Sequence, residues 1–335
     1  MTATINNPSY TVYVVSGGKK YNVTLALISL DRYESAKQIA QRVKLELANT
    51  IVDGDYMSNI FKARDRVFIY ANDGTENKEV FRGFIWERSY KSTGTEKILK
   101  LTAYDNLIYL QESEDSLYFT SGKSTQNILS SICDKWGVNL SYSYSSITHE
   151  KLPLRGKLYD IFTADLLDLV KKRTGKKYVI LSDQDTMYVK PVGSNTKIYK
   201  FLAKSNVVGT ASGWTMDGII TKVVILGKAG DDDREPVEAT VSGDTSTYGT
   251  LQKIQTRDED TSLADAKKEA QYIINESGKP KWEYEVTAPD IPWIRKGDKV
   301  YVNAGDIYEK TLIVTEVDHT ADKKKRQMTL MLEDV

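Results

Sequence analysis

The chain has 335 residues, enough for two or three domains that each bury a core. Its 46 Lys and Arg balance 46 Asp and Glu, which excludes the basic excess of a nucleic-acid binder and the acidic tail of a solvating segment. A single cysteine, Cys133, rules out an intrachain disulfide and a Cys-rich metal site, and no apolar run approaches the ~20 residues of a membrane span. The start, "MTATINNPSY", lacks the basic and apolar parts of a secretory signal, so synthesis and folding in a cytoplasm are expected, with no membrane anchoring.

In chain order, Tyr10–Val15 alternates as an edge strand ended by Gly17-Gly18, and "YNVTLALISL" is a second strand. The stretch "SAKQIAQRVKLELAN" fits helix through Ala36, Ile39, Ala40, Val43 and Leu47. It also fits strand, because Val43, Leu45 and Leu47 alternate with Lys44 and Glu46. Flanking strands favour a strand over 42–48. "RVFIY", "EVFRGFIWERSY" and "KILKLTAYD" complete a sheet large enough for a barrel or sandwich, and "DNLIYLQES" is a short helix closing it.

Residues 115–205 change character. Ser124 can cap a helix whose one face carries Ile128, Leu129, Ile132, Cys133 and Trp136, with Gly137 as its stop. A second helix starts at Asp160, buries Phe162, Leu166, Leu169 and Val170, and stops at Gly175. "KYVILSD" and "TMYVKPV" form a hairpin around Asp183–Asp185. From Gly213 strands resume, interrupted by the acidic loop Asp231–Asp233 and by a helix with Leu263, Ala266, Ala270, Ile273 and Ile274 on one face. The end is a meander: a polar turn at Arg295-Lys296-Gly297-Asp298, "KVYV", a turn, "KTLIVTEVDHT", the basic "ADKKKRQ", and "MTLML".

That meander has an earlier counterpart. Asp65 to Gly83 and Gly83 to Leu101 each span 18 residues; Asp298 to Val314 and Val314 to Leu330 each span 16. Two β units of similar spacing, about 230 residues apart, point to an internal duplication. The alternative is chance similarity between two meanders.

The residues offer little chemistry. A nucleophile pair would need Cys133 beside His149 or His319, but Cys133 lies on an apolar helix face where free Cys is usually core. His319 sits at a strand end and His149 in a polar loop. Asp231–Asp233 lacks the ligand spacing of a calcium loop. Glu112 with Glu114, and Asp258, Glu259 and Asp260, are acids that a chain with 46 of them places together freely. Gly17-Gly18 and Gly227–Gly230 precede no helix and make no phosphate cradle. Lys323–Arg326 reads as a hairpin turn. No catalytic, cofactor-binding or metal-binding residue is assigned, no cofactor is expected, and the chain is read as not an enzyme. The abundance of Tyr, 21 residues, suits contact surfaces and half-buried strands.

"KARDRVFIYANDGTENKEVFRGFIWE", "LKLTAYDNLIYL", "STQNILSSICDKWGVNL", "GKLYDIFTADLLDLVKKRTGKKYVI", "YGTLQ", "IRKGDKVYV", "LIVTEVDHT" and "QMTLMLEDV" occur in an order that resembles the baseplate hub proteins of contractile phage tails. The XkdQ-type proteins of PBSX-like prophages and phage-tail-like bacteriocins are the nearest group; late-control protein D and VgrG-type spikes are more distant. The likeness covers about Val12 to Leu332. It implies a mainly β chain: two tail-tube-like antiparallel β-barrel domains, 1–112 and 208–335, flank a small α+β insert, 113–207. The second barrel is interrupted by a loop and helix at about 229–279. It also implies a homotrimer whose six barrels match a hexameric tail tube protein on one side and meet a trimeric central spike protein on the other. Other baseplate or tape-measure proteins are further partners, and no direct sequence-specific nucleic acid contact is expected. Assembly into a virion or bacteriocin baseplate follows. Because Val335 comes directly after the second barrel, a separate spike or hydrolase chain is expected. The strands "KVYV" and "RVFIY" are candidate interface edges. Two other classes stay in view: a tail-tip cell-wall hydrolase built on Cys133, His149 and Asp160 of the insert, and a glycan-binding module using Tyr142–Tyr144.

Overall fold

The structure, a computed structural model, describes residues 7–142, 146–229, 234–257 and 261–335. Asp231–Asp233, Asp258–Asp260, Gly230 and Tyr144 lie outside the described residues. Two compact units emerge: Met1–Ala211 with Tyr284–Val335, and Ser212–Glu283.

The chain is mainly β. In the larger unit β1 (Ser9–Ser16) turns through Gly17-Gly18, both at positive φ, into β2 (Lys19–Asn22). Such a primed turn matches the right-handed twist of the strands it joins. β3 (Leu27–Ser35) and β4 (Arg42–Ala48) follow, then the meander β5 (Arg66–Asn72), β6 (Asn77–Thr93) and β7 (Glu96–Tyr104). Val43, Leu45 and Leu47 of β4 are buried and Lys44 is exposed, so alternation decides the helix-or-strand ambiguity for strand.

The insert follows. α1 (Thr125–Lys135) is capped by the Ser124 hydroxyl, which accepts from the Asn127 N–H at 3.1 Å. A helical stretch over 158–174 contains a wide π-helical segment, Ile161–Leu167, and ends at Gly175 in the left-handed conformation. β8 (Tyr178–Asp183) and β9 (Thr186–Pro191) form the expected hairpin, with Gln184 and Asp185 both at positive φ.

β10 (Tyr199–Leu202), β11 (Gly209–Thr215), β12 (Lys281–Pro289), β13 (Lys299–Ala304), β14 (Ile307–Asp322) and β15 (Arg326–Asp334) complete the chain's main sheet. Its thirteen strands run in the order β11-β12-β15-β14-β3-β4-β7-β6-β5-β1-β2, with β13 beside β14 and β10 beside β13. Two separately closed barrels were expected. Instead β3 pairs with β4 on one side and with β14 on the other, so both meanders share one open sheet. Three apolar cores fill this unit: one under each meander, and one in the insert around Ile128, Ile132, Phe162 and Leu166.

The duplication is visible bond by bond. Lys62 N–H donates to the Asp65 carboxylate (2.8 Å) and Arg295 N–H to the Asp298 carboxylate (2.9 Å). Arg64 and Gly297, both at positive φ, donate N–H to the carbonyls of Ile85 (2.8 Å) and Val314 (2.7 Å). Ile85 and Val314 return the bond to the Asp65 and Asp298 carbonyls, each at 2.8 Å. One residue later each strand carries a bulge, between Ile85 and Glu87 in β6 and between Val314 and Glu316 in β14. Leu101 faces Leu45 as Leu330 faces Val286, so that pairing of the repeat holds. Val314 corresponds to Ile85 and not to Gly83. The first hairpin is longer in the first copy, twenty residues from Asp65 to Ile85 against sixteen from Asp298 to Val314. Equal spacing therefore misplaced the middle anchor by two residues.

In the smaller unit, the helix Leu263–Ser277 lays Ala266, Ala270 and Ile274 on Val223 and Ile225 of the strand Lys222–Leu226. Val237–Ser242 and Gln252–Thr256 flank that strand, antiparallel and parallel. Ser262 caps the helix by accepting from Asp265 N–H at 3.1 Å.

Candidate functional site

The cysteine, both histidines and Tyr142 are core, whereas the described acids and lysines considered for chemistry are exposed. Cys133 is fully buried in α1, and burial, with Asp134, pushes its thiol up to about 12, the opposite of an activated nucleophile. His149 is buried and its Nε2 lies 2.7 Å from the Thr125 hydroxyl. Burial, then the Arg173 charge, lowers its pKa. Cys133 and His149 make no hydrogen bond with each other, and Asp160 is exposed. Tyr142 is buried and stacked on Tyr178, 6.0 Å between ring centres. Glu112 and Glu114 are exposed. Lys323–Lys325 form an exposed hairpin turn held by Lys324 and Lys325 N–H bonds to Asp322. Among the described residues no group of three or more His, Cys, Asp or Glu could hold a metal ion, and no helix is long and apolar enough to cross a membrane.

The concentrated electrostatics lie where the two meanders meet. Glu34 of β3 is buried and accepts from Arg295 Nε at 2.9 Å, from Arg295 Nη2, and from the Lys296 N–H at 3.2 Å. Burial alone would raise Glu34; the Arg295 charge and hydrogen bonds, with Lys296 and Arg32, hold it down at about 2. Arg295 also donates to the Ser182 carbonyl at 2.9 Å, tying in the insert. Lys296 is 2 % exposed, and its ammonium meets the carbonyls of Ser35 (3.2 Å), Gln38 and Ile39 (3.3 Å). Burial lowers its pKa against the pull of Glu34 and Asp105. Asp105 accepts from Gln41 N–H and Leu107 N–H, each at 2.9 Å. Burial pushes it upward regardless.

Gly297 completes the turn. Its φ is 83°, and a Cβ there would stand 2.6 Å from Val179 Cγ1, so neither conformation nor space allows a side chain. The equivalent turn of the first meander, Lys62–Arg64, is exposed. The same local structure is thus a buried latch in one copy and a free surface in the other.

A second cluster stands behind the latch. His319, expected at a strand end, is instead buried inside β14 with Nδ1 2.7 Å from Asp290 Oδ1 and Nε2 3.0 Å from the Ile294 carbonyl. Tyr10 of β1 donates to the other Asp290 oxygen. Burial and Arg32 push His319 towards neutrality, while Asp290 and the carbonyl push the other way. The Ile294 carbonyl can only accept, so the tautomer that fits carries its proton on Nε2. Arg32, 1 % exposed, donates to the carbonyls of Val80 (3.2 Å) and Pro292 (2.6 Å). Arg32 and Arg295 border a cavity of about 400 Å³ that also touches Asp105, Asp183, Lys190 and Trp293, polar and roomy enough for water.

The arrangement ties β3, the Arg295–Asp298 turn and the insert together. Arg295–Asp298 reads in the sequence as a polar turn, and the structure buries Lys296, Gly297 and Asp298. A signal was present: "KARD" and "RKGD" occupy equivalent positions, and only the second has the Gly that a crowded turn needs. The candidate edges "RVFIY" and "KVYV" are corrected here, since β5 is paired by β1 and β6, and β13 by β10 and β14.

Known proteins resemble this chain in sequence or fold over most of its length. The phage-like element PBSX protein XkdQ of Bacillus subtilis (strain 168) is 25% identical over 281 residues, 81% of this chain and 85% of XkdQ. The 43 kDa tail protein of prophage MuSo2 from Shewanella oneidensis superposes with a TM-score of 0.72 at 14% identity, covering 97% of this chain and 98% of that one. The E. coli c3393 protein superposes with a TM-score of 0.55 at 9% identity, covering 92% and 73%. It is described as a component of the type VI secretion system with structural similarity to the T4 bacteriophage tail proteins gp27 and gp5. The YQBQ-like family profile matches residues 33–333, and the chain belongs to the YQBQ-like family.

Proposed function

We propose that this chain is the baseplate hub of a contractile injection system, a trimeric adaptor between the hexameric tail tube and the trimeric central spike. The observation that carries the reading is the duplicated meander, matched in turn, bulge and register within one chain. Three identical subunits related by a threefold axis cannot present six equivalent contacts unless each carries two. Two tube-like modules, one on each side of the insert at 113–207, give three chains six. The open sheet fits this reading, because ring closure then falls to neighbouring copies rather than to one chain. The buried latch at Glu34, Arg295 and Lys296 sets the angle between consecutive modules.

The role is structural assembly inside a phage or bacteriocin particle made in the host cytoplasm, with tube, spike and other baseplate or tape-measure proteins as partners. Subunit contacts on the order of 2,000 Å² or more per pair are expected for such an obligate ring. Native mass measurement of the oligomer taken from assembled particles tests it: three copies support the hub, and one or six would refute it. A hydrolase centred on Cys133 is disfavoured by the raised thiol, and a glycan site at Tyr142 by that ring's burial.

A further inference from the structure

The two meanders are equivalent in bonding yet differ in what covers them. In β14 the stretch beyond the bulge is paired on both edges. β15 lies on one side, and β3 on the other contributes seven residue pairs, from Glu316↔Ser35 to Asp322↔Ser29. The Thr315 carbonyl at the bulge accepts from Ala36 N–H at 2.7 Å. The equivalent stretch of β6, Glu87–Thr93, is paired by β7 alone; its other edge has no strand partner among the described residues. Every residue from Trp86 to Thr93 is exposed, whereas Val317, His319 and Ala321 in the covered copy are buried. The neighbouring turn repeats the contrast, buried at Lys296–Asp298 and exposed at Lys62–Arg64.

A long exposed strand edge carrying Trp86 and Tyr90, 40% and 47% exposed, is a liability unless something pairs with it. The intrachain junction indicates what that is. β3, which covers β14, is the strand beyond β4; β4 stands on β7 as β12 stands on β15. The strand beyond β12 is β11, joined to it through the Val208 N–H bond to the Thr287 carbonyl at 2.8 Å. β11 thus holds in the second module the place that β3 holds in the first. It carries exposed Trp214, with Val208 exposed just before it, and Gly209, Ala211 and Gly213 let another backbone approach closely.

We infer that Glu87–Thr93 of β6 is a docking edge for β11, Gly209–Thr215, of a second copy of this chain, added antiparallel as β3 adds to β14. This rests on the hub reading and gives its subunit contact: the sheet passes from one copy to the next by the same strand junction that links the two modules inside a copy. Backbone bonds supply the register-independent part of the affinity, and the aromatic side chains of both strands the rest.

The test uses assembled particles containing the full chain with p-benzoyl-phenylalanine in place of Tyr90, mixed from isotopically light and heavy copies. Irradiation is expected to give cross-links between copies, from position 90 to the peptide spanning 208–216. Cross-links to another protein or another segment, in particles that still hold three copies, would overturn the strand pairing and leave the hub reading standing. Particles with a copy number other than three would overturn the hub reading and the pairing with it. As a second arm, Trp214→Glu, at an exposed position, should reduce incorporation into particles at least tenfold; unchanged incorporation would also overturn the pairing.

Discussion

Glu34→Gln removes the carboxylate that grips Arg295 while keeping its size. In the folded chain Glu34 is held at about 2 against an ordinary value of 4.5, and each unit is worth about 1.36 kcal/mol, so the ionised form contributes about 3 kcal/mol. Because the folded value is depressed, this stability is fully present above about pH 4.5 and is lost as pH falls towards 2. The variant also leaves the partly buried Arg295 guanidinium facing a neutral partner, at a cost below the about 3–5 kcal/mol of breaking a fully buried pair. Urea unfolding at pH 7 should show a loss of about 3 kcal/mol or more for Glu34→Gln. Between pH 4.5 and 3 the wild-type chain should lose stability faster than the variant, so that the two curves converge. Arg295→Met, removing both charges in combination with Glu34→Gln, should recover part of the loss. A deficit under 1 kcal/mol at pH 7, or parallel pH curves, would refute the argument that this ion pair fixes the junction.

Gly297→Ala places a Cβ 2.6 Å from Val179 at a positive φ and should cost about 2–4 kcal/mol, read as a lowered melting temperature, while Arg64→Gly at the exposed equivalent turn should change stability by under about 1 kcal/mol. Asp318 in β14 is pushed up to about 6 by burial and by the adjacent Asp31 carboxylate, so the folded chain prefers it protonated; that preference stabilises below pH 4 and is lost as pH rises through 6. Asp318→Asn should therefore stabilise by about 1 kcal/mol at pH 8, after allowance for solvent screening, and have little effect at pH 4. The Cys133 thiol should stay unreactive towards a disulfide reagent in the native chain and react on unfolding; Cys133→Ser should destabilise by about 1–3 kcal/mol by placing a hydroxyl in an apolar core.

Much of the fold was legible because alternation and capping are local. Val43, Leu45 and Leu47 identified a strand, Ser124 a helix start, and Asp183–Asp185 a hairpin turn, each from neighbours within a few residues. The repeat was legible in outline through its turns, but a hairpin four residues longer in the first copy blurred its register. What stayed hidden was long-range. The single strand expected over 21–30 is instead the end of β2, a 3-10 turn at Thr24–Ala26 and the start of β3, and the pairing of β3 with β14 joins positions almost 290 apart that nothing local marks. The same holds for Lys296 and His319, polar residues whose burial depends on carbonyls and carboxylates from distant segments. The choice of "RVFIY" and "KVYV" as edges failed for the same reason: strand edges are decided by partners, not by the strand's own sequence.

The central claim is that duplication within the chain lets three copies stand as six modules on a sixfold tube. An electron cryo-microscopy map of the assembled baseplate tests it most directly. The account predicts three copies of this chain in one ring, with the two meanders of each occupying alternate sixths beneath the tube. Six copies in that ring, or three copies placed at its periphery with only one meander facing the tube, would contradict it.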